Sequence, residues 1–239
     1  MTQRTALVLG GTSGIGLATA RQLSARSATV HIAGRDKRRI DGIAATDPAL
    51  IGHECDAADP VALSALIDAV GPIDWLIITL SGAEGMGLVA DLDLATLRRA
   101  FDAKFWVHLA AIKVALPALT GDASITLVSA ASARQGMPGT AGLSALNAAV
   151  EGLVRPLAVE LAPVRVNAVS PGLVDTPWWS GLPDQARQDL FDQAAAQLPN
   201  RRIASPADIA EAVVLAATNP NITGTVLETD GGSRLVSMT

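Results

Sequence analysis

The sequence contains no tyrosine, a single cysteine and few aromatic or charged residues. With Cys55 alone, an internal disulfide and a cysteine-clustered metal site are excluded, and we expect no metal. The net charge is −5 with no block of like charge, which argues against nucleic acid as a partner. No stretch approaches the ~20 apolar residues of a membrane span, and the amino-terminal apolar run is too short for a signal peptide. We therefore expect no membrane partner and a cytoplasmic location.

Hydrophobic residues make up 49% of the chain but aromatics only 3%, so Ala, Val, Leu and Ile must build the interior, as in parallel strands buried between helices. β-type runs alternate with helical patterns, which predicts an α/β fold: a doubly wound parallel sheet of about seven strands with helices on both faces, in one domain over 1–239. We expect Pro156 to kink its helix or to displace a hydrogen bond there. The predicted strands are 5–9, 29–33, 50–54, 74–80, 124–129, 164–169 and 225–228; the main helices are 15–25, 62–70, 94–116, 142–161 and 207–217.

A glycine-rich loop follows the first predicted strand and opens the first helix. Gly10 permits a tight turn, Gly14 lets the backbone approach a pyrophosphate, and Gly16 allows close packing of the helix on the strand. The helix amino terminus then faces the anion. This placement predicts a dinucleotide-binding loop, completed by Thr12, Ser13 and Ile15.

The spacing of these glycines resembles that of the short-chain dehydrogenase/reductase family, and further motifs extend the resemblance nearly from end to end. It implies a Rossmann fold, an oxidoreductase activity and a homo-oligomer, a tetramer or a dimer, whose long helices pair across a two-fold axis. It also implies a nicotinamide cofactor held by residues beyond the glycine loop: Asp56 and Ala57, Ser81 and Gly82, and Pro171, Gly172, Val174 and Thr176.

Arg35 follows the second predicted strand, where the side chain distinguishes the two nicotinamide cofactors. An acidic residue there would bind a ribose 2′-hydroxyl, whereas a guanidinium forms paired, charge-assisted hydrogen bonds with a 2′-phosphate. Arg35 therefore predicts NADP(H). The alternative is that Arg35 and the basic residues 37–39 are only the solvated start of a helix.

The family's proton chemistry depends on residues that this chain lacks. The resemblance implies a catalytic tyrosine with a lysine four residues on, a serine thirteen residues before the tyrosine, and an asparagine in the preceding long helix. The corresponding positions hold Leu143, Asn147, Ala130 and Lys104. Ser129 and Ser132 flank the vacant serine position, but neither is a safe substitute. The missing proton donor is typically worth about 10²–10⁴ in rate.

Three residues are candidates to replace the tyrosine. Lys104 and His108 are four apart and share a helix face, and Arg134 follows the fifth strand, where loops line the cleft. The alternatives are a surface or interface lysine, a packed or interface histidine and a solvent-facing arginine. Asn147 is a better candidate for a cofactor ligand than for an acid.

Trp178 and Trp179 fall in the segment around 177–200, where the family resemblance implies a substrate lid, and they favour a bulky apolar or aromatic small-molecule substrate. The alternative is that they pack against the core or another subunit. Three functions stay open: an NADP(H)-dependent oxidoreductase acting on a C=N, activated C=C or C=O group with non-standard proton delivery; a catalytically silent NADP(H)-binding or partner-binding protein; and a non-redox, cyclase-like enzyme.

Overall fold

A computed structural model describes residues 3–82 and 84–236. Seven parallel strands form one sheet in the order β3-β2-β1-β4-β5-β6-β7, which confirms the predicted doubly wound fold. The strands are β1 Thr5–Leu9, β2 Thr29–Gly34, β3 Leu50–Glu54, β4 Ile73–Ile78, β5 Leu119–Val128, β6 Arg165–Pro171 and β7 Val226–Thr229. The α-helices are α1 Gly14–Ser24, α2 Lys37–Thr46, α3 Pro60–Val70, α4 Leu94–Phe101, α5 Val107–Ala115, α6 Ala141–Gly152, α7 Val154–Glu160, α8 Asp184–Gln197 and α9 Pro206–Thr218.

The apolar composition of the strands explains their burial on both faces. Leu76, Ile77 and Ile78 of β4 are fully buried at the centre of the sheet. Alternate side chains along the strands enter two separate apolar layers, because successive residues of a strand point to opposite faces. Helices α3 and α5 cover one layer, and α1 and α9 cover the other.

The predicted helix 142–161 is divided in two. Helix α6 ends at Gly152 and α7 begins at Val154, so Pro156 is the third residue of α7. Proline has no N–H group to donate and its ring clashes with the carbonyl four residues earlier, which is that of Gly152. The predicted interruption is thus confirmed, and it lies one turn before the proline itself.

The predicted helix 94–116 contains a π-helical turn at Asp102–Trp106, between α4 and α5. Such turns insert a wider ring of hydrogen bonds into a helix and are frequent at functional sites. Two other elements differ from the expectation. Strand β5 begins at Leu119 rather than Ser124, and the segment predicted as a lid contains a short 3₁₀ turn, Pro177–Trp179, followed by α8.

The strand order places a crevice at one edge of the sheet. The chain runs outward from β1 through β2 to β3, and then returns to pair β4 with the other side of β1. The connections after β1 and β4 therefore leave in opposite directions. In open parallel sheets, ligands bind at the carboxyl ends of the strands beside this reversal.

Candidate active site

A cleft of about 1260 Å³ lies at the carboxyl ends of the strands. The glycine loop, the ends of β2 to β5, the π-helical turn, helix α6 and the segment after β6 line it. Every residue predicted to bind the cofactor lies on its wall, namely Gly10, Thr12, Ser13, Gly14, Ile15, Gly16, Arg35, Asp56, Ala57, Ser81, Gly82, Asn147, Pro171, Gly172, Val174 and Thr176. The structure thus brings together positions that are far apart in the sequence.

The glycine loop has the tight geometry that its sequence predicts. Gly10 has a φ of +83°, and a Cβ on Gly16 would lie 2.3 Å from the carbonyl oxygen of Gly10, so only glycine allows α1 to approach the turn this closely. Thr79, at the end of β4, fastens the loop because its Oγ1 donates to the carbonyl oxygens of Leu9 and Gly10, at 3.1 and 3.2 Å.

The start of α1 fits a dinucleotide phosphate. Side chains cap helices α2, α3, α4 and α9, from Asp36, Asp59, Asp93 and Ser205. Ser13 makes no side-chain hydrogen bond to the first turn of α1, and the residues before α6 and α8 make none to theirs. Free N–H groups and the helix dipole together favour an anion at this position. The first turn of α1 is therefore a suitable cradle for a pyrophosphate.

The ends of β2 and β3 provide the surroundings expected for an adenosine half. Arg35 is exposed on the cleft wall and forms no ion pair with any residue that the structure describes. Asp36 is occupied in capping α2, where it accepts from the backbone N–H of Arg39. Asp56 and Ala57 face the same end of the cleft. The guanidinium of Arg35 is thus available to a phosphate.

The segment after β6 closes the opposite side of the loop. Thr176 packs against Gly14, where a Cβ would lie 3.3 Å from its Cγ2. Gly172 lies against the backbone of Asp230, and Val174 pairs with Ala204 in a short parallel bridge. Ser81 and Gly82 stand across the cleft, at the end of β4. These contacts place the segment after β6 against the glycine loop and against Asp230, which follows β7.

Lys104 lies on the cleft wall and is almost completely buried, with 5% of its surface exposed. Its Nζ donates to Oδ1 of Asn147 at 2.7 Å and to the carbonyl oxygen of Ser129 at 3.3 Å. Burial lowers the pKa of Lys104 to about 8, and Glu151 opposes that shift. The ammonium group is therefore a stronger acid than an ordinary lysine.

Asn147 connects this ammonium to the rest of the cleft. Its Nδ2 donates to the carbonyl oxygen of Leu143 at 3.0 Å and to Oγ of Ser132 at 3.1 Å. Leu143 lies on the cleft wall, as does Ala130, so the two positions expected for the tyrosine and the serine face the cavity without a proton donor. Ser132 is the nearest hydroxyl in this network.

The structure places His108 away from the cleft. Its side chain is fully buried, and Nδ1 lies 2.7 Å from the carbonyl oxygen of Lys104. Burial, and then the charge of Lys104, lower the pKa of His108 to about 3, so the imidazole is neutral. His108 is not among the residues that line the cavity. Its position is that of a packed core histidine beneath the π-helical turn, which does not support the predicted acid role.

Arg134 is also absent from the cleft wall. Its guanidinium binds Glu151, with Nε 2.9 Å from Oε2, and also contacts Glu228. Both carboxylates belong to neighbouring elements, and Glu228 also pairs with Arg234. Arg134 therefore stabilises the loop after β5, and its placement does not support direct contact with a substrate.

The aromatic pair of the predicted lid borders the cleft. Trp178 donates from Nε1 to the carbonyl oxygen of Gly82 at 3.1 Å, which joins the segment after β6 to the end of β4. Trp179 packs between Trp178 and Phe191 of α8, and its Nε1 donates to the carbonyl oxygen of Val174 at 3.0 Å. Trp178 thus extends over the cavity, while Trp179 mainly anchors α8.

Sequence reasoning missed two contributors to this site. Thr79 falls within the predicted apolar strand 74–80, and a single hydroxyl at the end of such a run is the signal for its backbone contacts. Glu151 accepts a hydrogen bond from Oγ of Ser129 at 2.8 Å, and its negative charge raises the pKa of Lys104. Nothing in the local sequence indicates that this glutamate turns inward.

No group of three or more His, Cys, Asp or Glu side chains that could hold a metal ion occurs within residues 3–82 and 84–236. Within the same residues, no helix is long and apolar enough to cross a membrane.

The fold and the cleft together define the class of protein. The family model described as enoyl-(acyl carrier protein) reductase matches residues 10–234. The chain belongs to the short-chain dehydrogenase/reductase family, a family of oxidoreductases.

Individual relatives cover nearly the whole chain. The short-chain dehydrogenase/reductase malC of Malbranchea aurantiaca is 33% identical over 96% of this chain and 94% of its own length. The cis-4-hydroxycyclohexanecarboxylate dehydrogenase of Sinomonas cyclohexanicum is 34% identical, with 96% of each chain covered.

Solved structures agree with these sequence matches. A small-chain dehydrogenase in complex with NADPH superposes with a TM-score of 0.86 at 35% identity, covering 98% of this chain and 100% of that one. The MalC reductase/Diels-Alderase from Malbranchea aurantiaca gives a TM-score of 0.89 at 29% identity, covering 98% and 97%.

Proposed function

We propose that this chain is an NADP(H)-dependent oxidoreductase in which Lys104 replaces the family's tyrosine as proton donor. The observation that carries the proposal is the buried ammonium of Lys104 on the wall of the cleft. The uncapped start of α1 and the unpaired Arg35 support binding of a phosphorylated dinucleotide, as does the NADPH complex of the structural relative.

Bound NADPH supplies a hydride to the substrate carbon. The electron pair of the reduced C=O or activated C=C bond then moves to an oxygen or carbon, and Lys104 Nζ gives a proton to that atom. Because burial brings the pKa of Lys104 to about 8, the group is protonated at neutral pH and still able to release its proton. The neutral amine then regains a proton from solvent.

A cationic C=N substrate makes a smaller demand on the protein. Hydride addition to an iminium gives a neutral amine directly, without protonation of an oxyanion. The loss of the tyrosine therefore costs least for this class. Imines, activated alkenes and ketones are the candidate substrates, in an order that depends on how effectively Lys104 replaces the acid.

The lining of the cleft favours a bulky apolar or aromatic substrate. Met86, Met137, Leu143 and Leu190 line the cavity together with Trp178. Gln135 and Thr140 add polar side chains to the lining. Aromatic and apolar walls with few polar groups are typical of sites for small organic ligands.

A cyclase-like function is a second candidate because of one specific likeness. The relative from Malbranchea aurantiaca is described as both a reductase and a Diels-Alderase, and the cleft here combines a hydrogen-bonding ammonium with a large apolar wall. A buried donor that binds a carbonyl oxygen would also polarise an unsaturated substrate for ring closure.

Absorbance of NADPH, followed with ketones, enones and cyclic imines, tests the proposal. We expect turnover with at least one class, and a fall of about 10²–10⁴ in kcat/KM for ketones and enones in Lys104→Met. Lys113→Met changes an exposed lysine of α5 and serves as the matched control. NADPH binding without turnover on any class, or equal rates in Lys104→Met and wild type, would overturn it.

We also propose a homo-oligomer built on the long helical segment. Trp106 is 55% exposed at the end of the π-helical turn, although tryptophan is usually covered. Light scattering tests this: we expect a dimer or tetramer, and Trp106→Glu should give smaller particles. A monomeric wild-type protein would contradict the proposal.

A further inference from the structure

The side chain of Asn147 has a single possible orientation. The carbonyl oxygen of Leu143 can only accept a hydrogen bond, so the amide nitrogen of Asn147 must face it. The amide oxygen then faces Nζ of Lys104, at 2.7 Å. Ser132 accepts the second N–H of the amide. Both N–H groups of Asn147 are consequently used within the protein.

We propose that Asn147 is a positioning residue for Lys104, which holds the ammonium on the cleft wall in its protonated form, rather than a direct ligand of the cofactor. The proposal rests on the function proposed above. It replaces the expectation that Asn147 is a cofactor ligand, since only one lone pair of its amide oxygen is left for a ligand.

The acceptors around Lys104 stabilise the charge without neutralising it. Both contacts, Oδ1 of Asn147 and the carbonyl oxygen of Ser129, are uncharged oxygens. An ammonium has three N–H donors, so one is left after these two contacts. Because Lys104 lines the cavity, an oxygen of a bound substrate is the acceptor that this donor suits.

The charged and titratable groups near Lys104 are few among the described residues. Glu151 of α6 lies behind Ser129, and its carboxylate is held by Ser129 Oγ and by Arg134. His108, one turn along the same helical segment, is neutral. Asp102 precedes Lys104 in the π-helical turn and lines the cleft. The amide of Asn147 is the only side chain in direct hydrogen-bond contact with Nζ in this set.

Two departures from the pattern that the resemblance implies lie in this one contact. Lys104 occupies the position of the family's asparagine and Asn147 that of its lysine, and the two side chains touch across two helices. One ammonium and one amide are therefore retained in the same place, with their helices exchanged. This reciprocity supports a pair that works together rather than two independent losses.

Nuclear magnetic resonance of ¹³Cε-labelled lysine tests the proposal without substrate. The sequence has three lysines, Lys37, Lys104 and Lys113, so only three signals need assignment, and Lys37 and Lys113 are internal references. We expect the wild-type Lys104 signal to titrate near pH 8. Asn147→Leu should lower that midpoint by about one to two pH units, because a hydrogen bond to a charged group changes its protonation equilibrium by about 10- to 100-fold. Asn147→Asp should raise it.

Ser132→Ala keeps the contact between Asn147 and Lys104, so its midpoint should stay within about half a unit of wild type. If Asn147→Leu fails to fold, two other variants test the same contact: Asn147→Asp should raise the midpoint of Lys104, and Asn147→Ser should lower it. An unchanged Lys104 midpoint in the folded variants, together with a weaker NADPH affinity, would show that Asn147 is a cofactor ligand and would overturn the proposal. Since the titration needs no turnover, its outcome is separate from that of the activity assay. Where turnover occurs, the basic limb of the pH profile should move with the midpoint.

Discussion

The buried ammonium of Lys104 should make the stability of the fold depend on pH in the alkaline range. Burial lowers its pKa from 10.5 to about 8. Below pH 8 both the native and the unfolded chain keep the proton, so the full cost of burying the charge is present. Between about pH 8 and 10.5 the unfolded chain keeps the proton while the native chain loses it, and stability therefore rises with pH.

The size of this rise follows from the pKa difference. At about 1.4 kcal/mol per pKa unit, Lys104 adds roughly 3 kcal/mol of stability across the range. For a chain of this length that corresponds to about 6 to 12 °C in melting temperature. Lys104→Met removes the titrating group. It also leaves Oδ1 of Asn147 unpaired at a cost of about 1–3 kcal/mol, but that cost does not change with pH.

Guanidinium unfolding of wild type and Lys104→Met at several values between pH 7 and 10, at one protein concentration, measures the effect. The difference between the two free energies of unfolding should grow in favour of wild type as the pH rises. Lys113→Met, which removes an exposed lysine, is the control for general alkaline effects and should run parallel to wild type. A constant difference between wild type and Lys104→Met would refute the assignment of a buried charge at this position.

Three further outcomes are expected. Arg35→Ser should weaken NADPH binding by about 10- to 100-fold, since hydrogen bonds to charged groups are worth about 1.5–3 kcal/mol, and should leave NADH affinity nearly unchanged. A fluorescence titration measures both affinities, and Arg38→Ser, outside the cleft wall, is the control. Gly16→Ala should abolish NADPH binding because the new Cβ would meet the carbonyl oxygen of Gly10. The control Gly42→Ala, with open space around it in α2, should stabilise the fold by about 0.5–1 kcal/mol. Equal effects of the two substitutions in unfolding and binding assays would contradict this. Burial lowers the pKa of His31 and His53, whose rings contact each other at 2.8 Å, so the free energy of unfolding should fall as the pH drops below about 6.5. Denaturation of His53→Gln between pH 5 and 7 should show a smaller fall. An unchanged slope would count against the histidine pair.

The sequence pattern predicted the sheet and the glycine loop because these depend on local regularities. Apolar runs such as that of β4 mark buried strands wherever they pair, and the glycine loop has its own geometry. Once β1 and α1 are in place, residues that follow strands must lie at the same edge of the sheet. The place of Arg35 after β2 predicts its position in this cleft, whereas for Asp56 and Thr176 the family resemblance implies it.

The catalytic candidates were less predictable because they depend on tertiary partners. Spacing correctly related His108 to Lys104, and His108 does contact the backbone of Lys104, but the helical face turns into the core one turn beyond the cleft. The position of Arg134 in a loop after a strand predicted a place on the cleft wall, whereas its guanidinium forms ion pairs with Glu151 and Glu228 away from that wall. The contact between Lys104 and Asn147 spans two helices far apart in the chain, and no local pattern contains it.

Because no side chain caps α1, the order of the glycine loop should depend on the concentration of nucleotide. No side chain of Ser13 caps the first turn of α1, so amide hydrogens in this turn should exchange rapidly when no ligand is bound. A phosphate that occupies the turn binds the native chain and not the unfolded one, so a free nucleotide at 100 times its Kd stabilises the protein by about 2.7 kcal/mol through mass action. In a cell, the pool of dinucleotide would then set how much of this protein resists proteolysis.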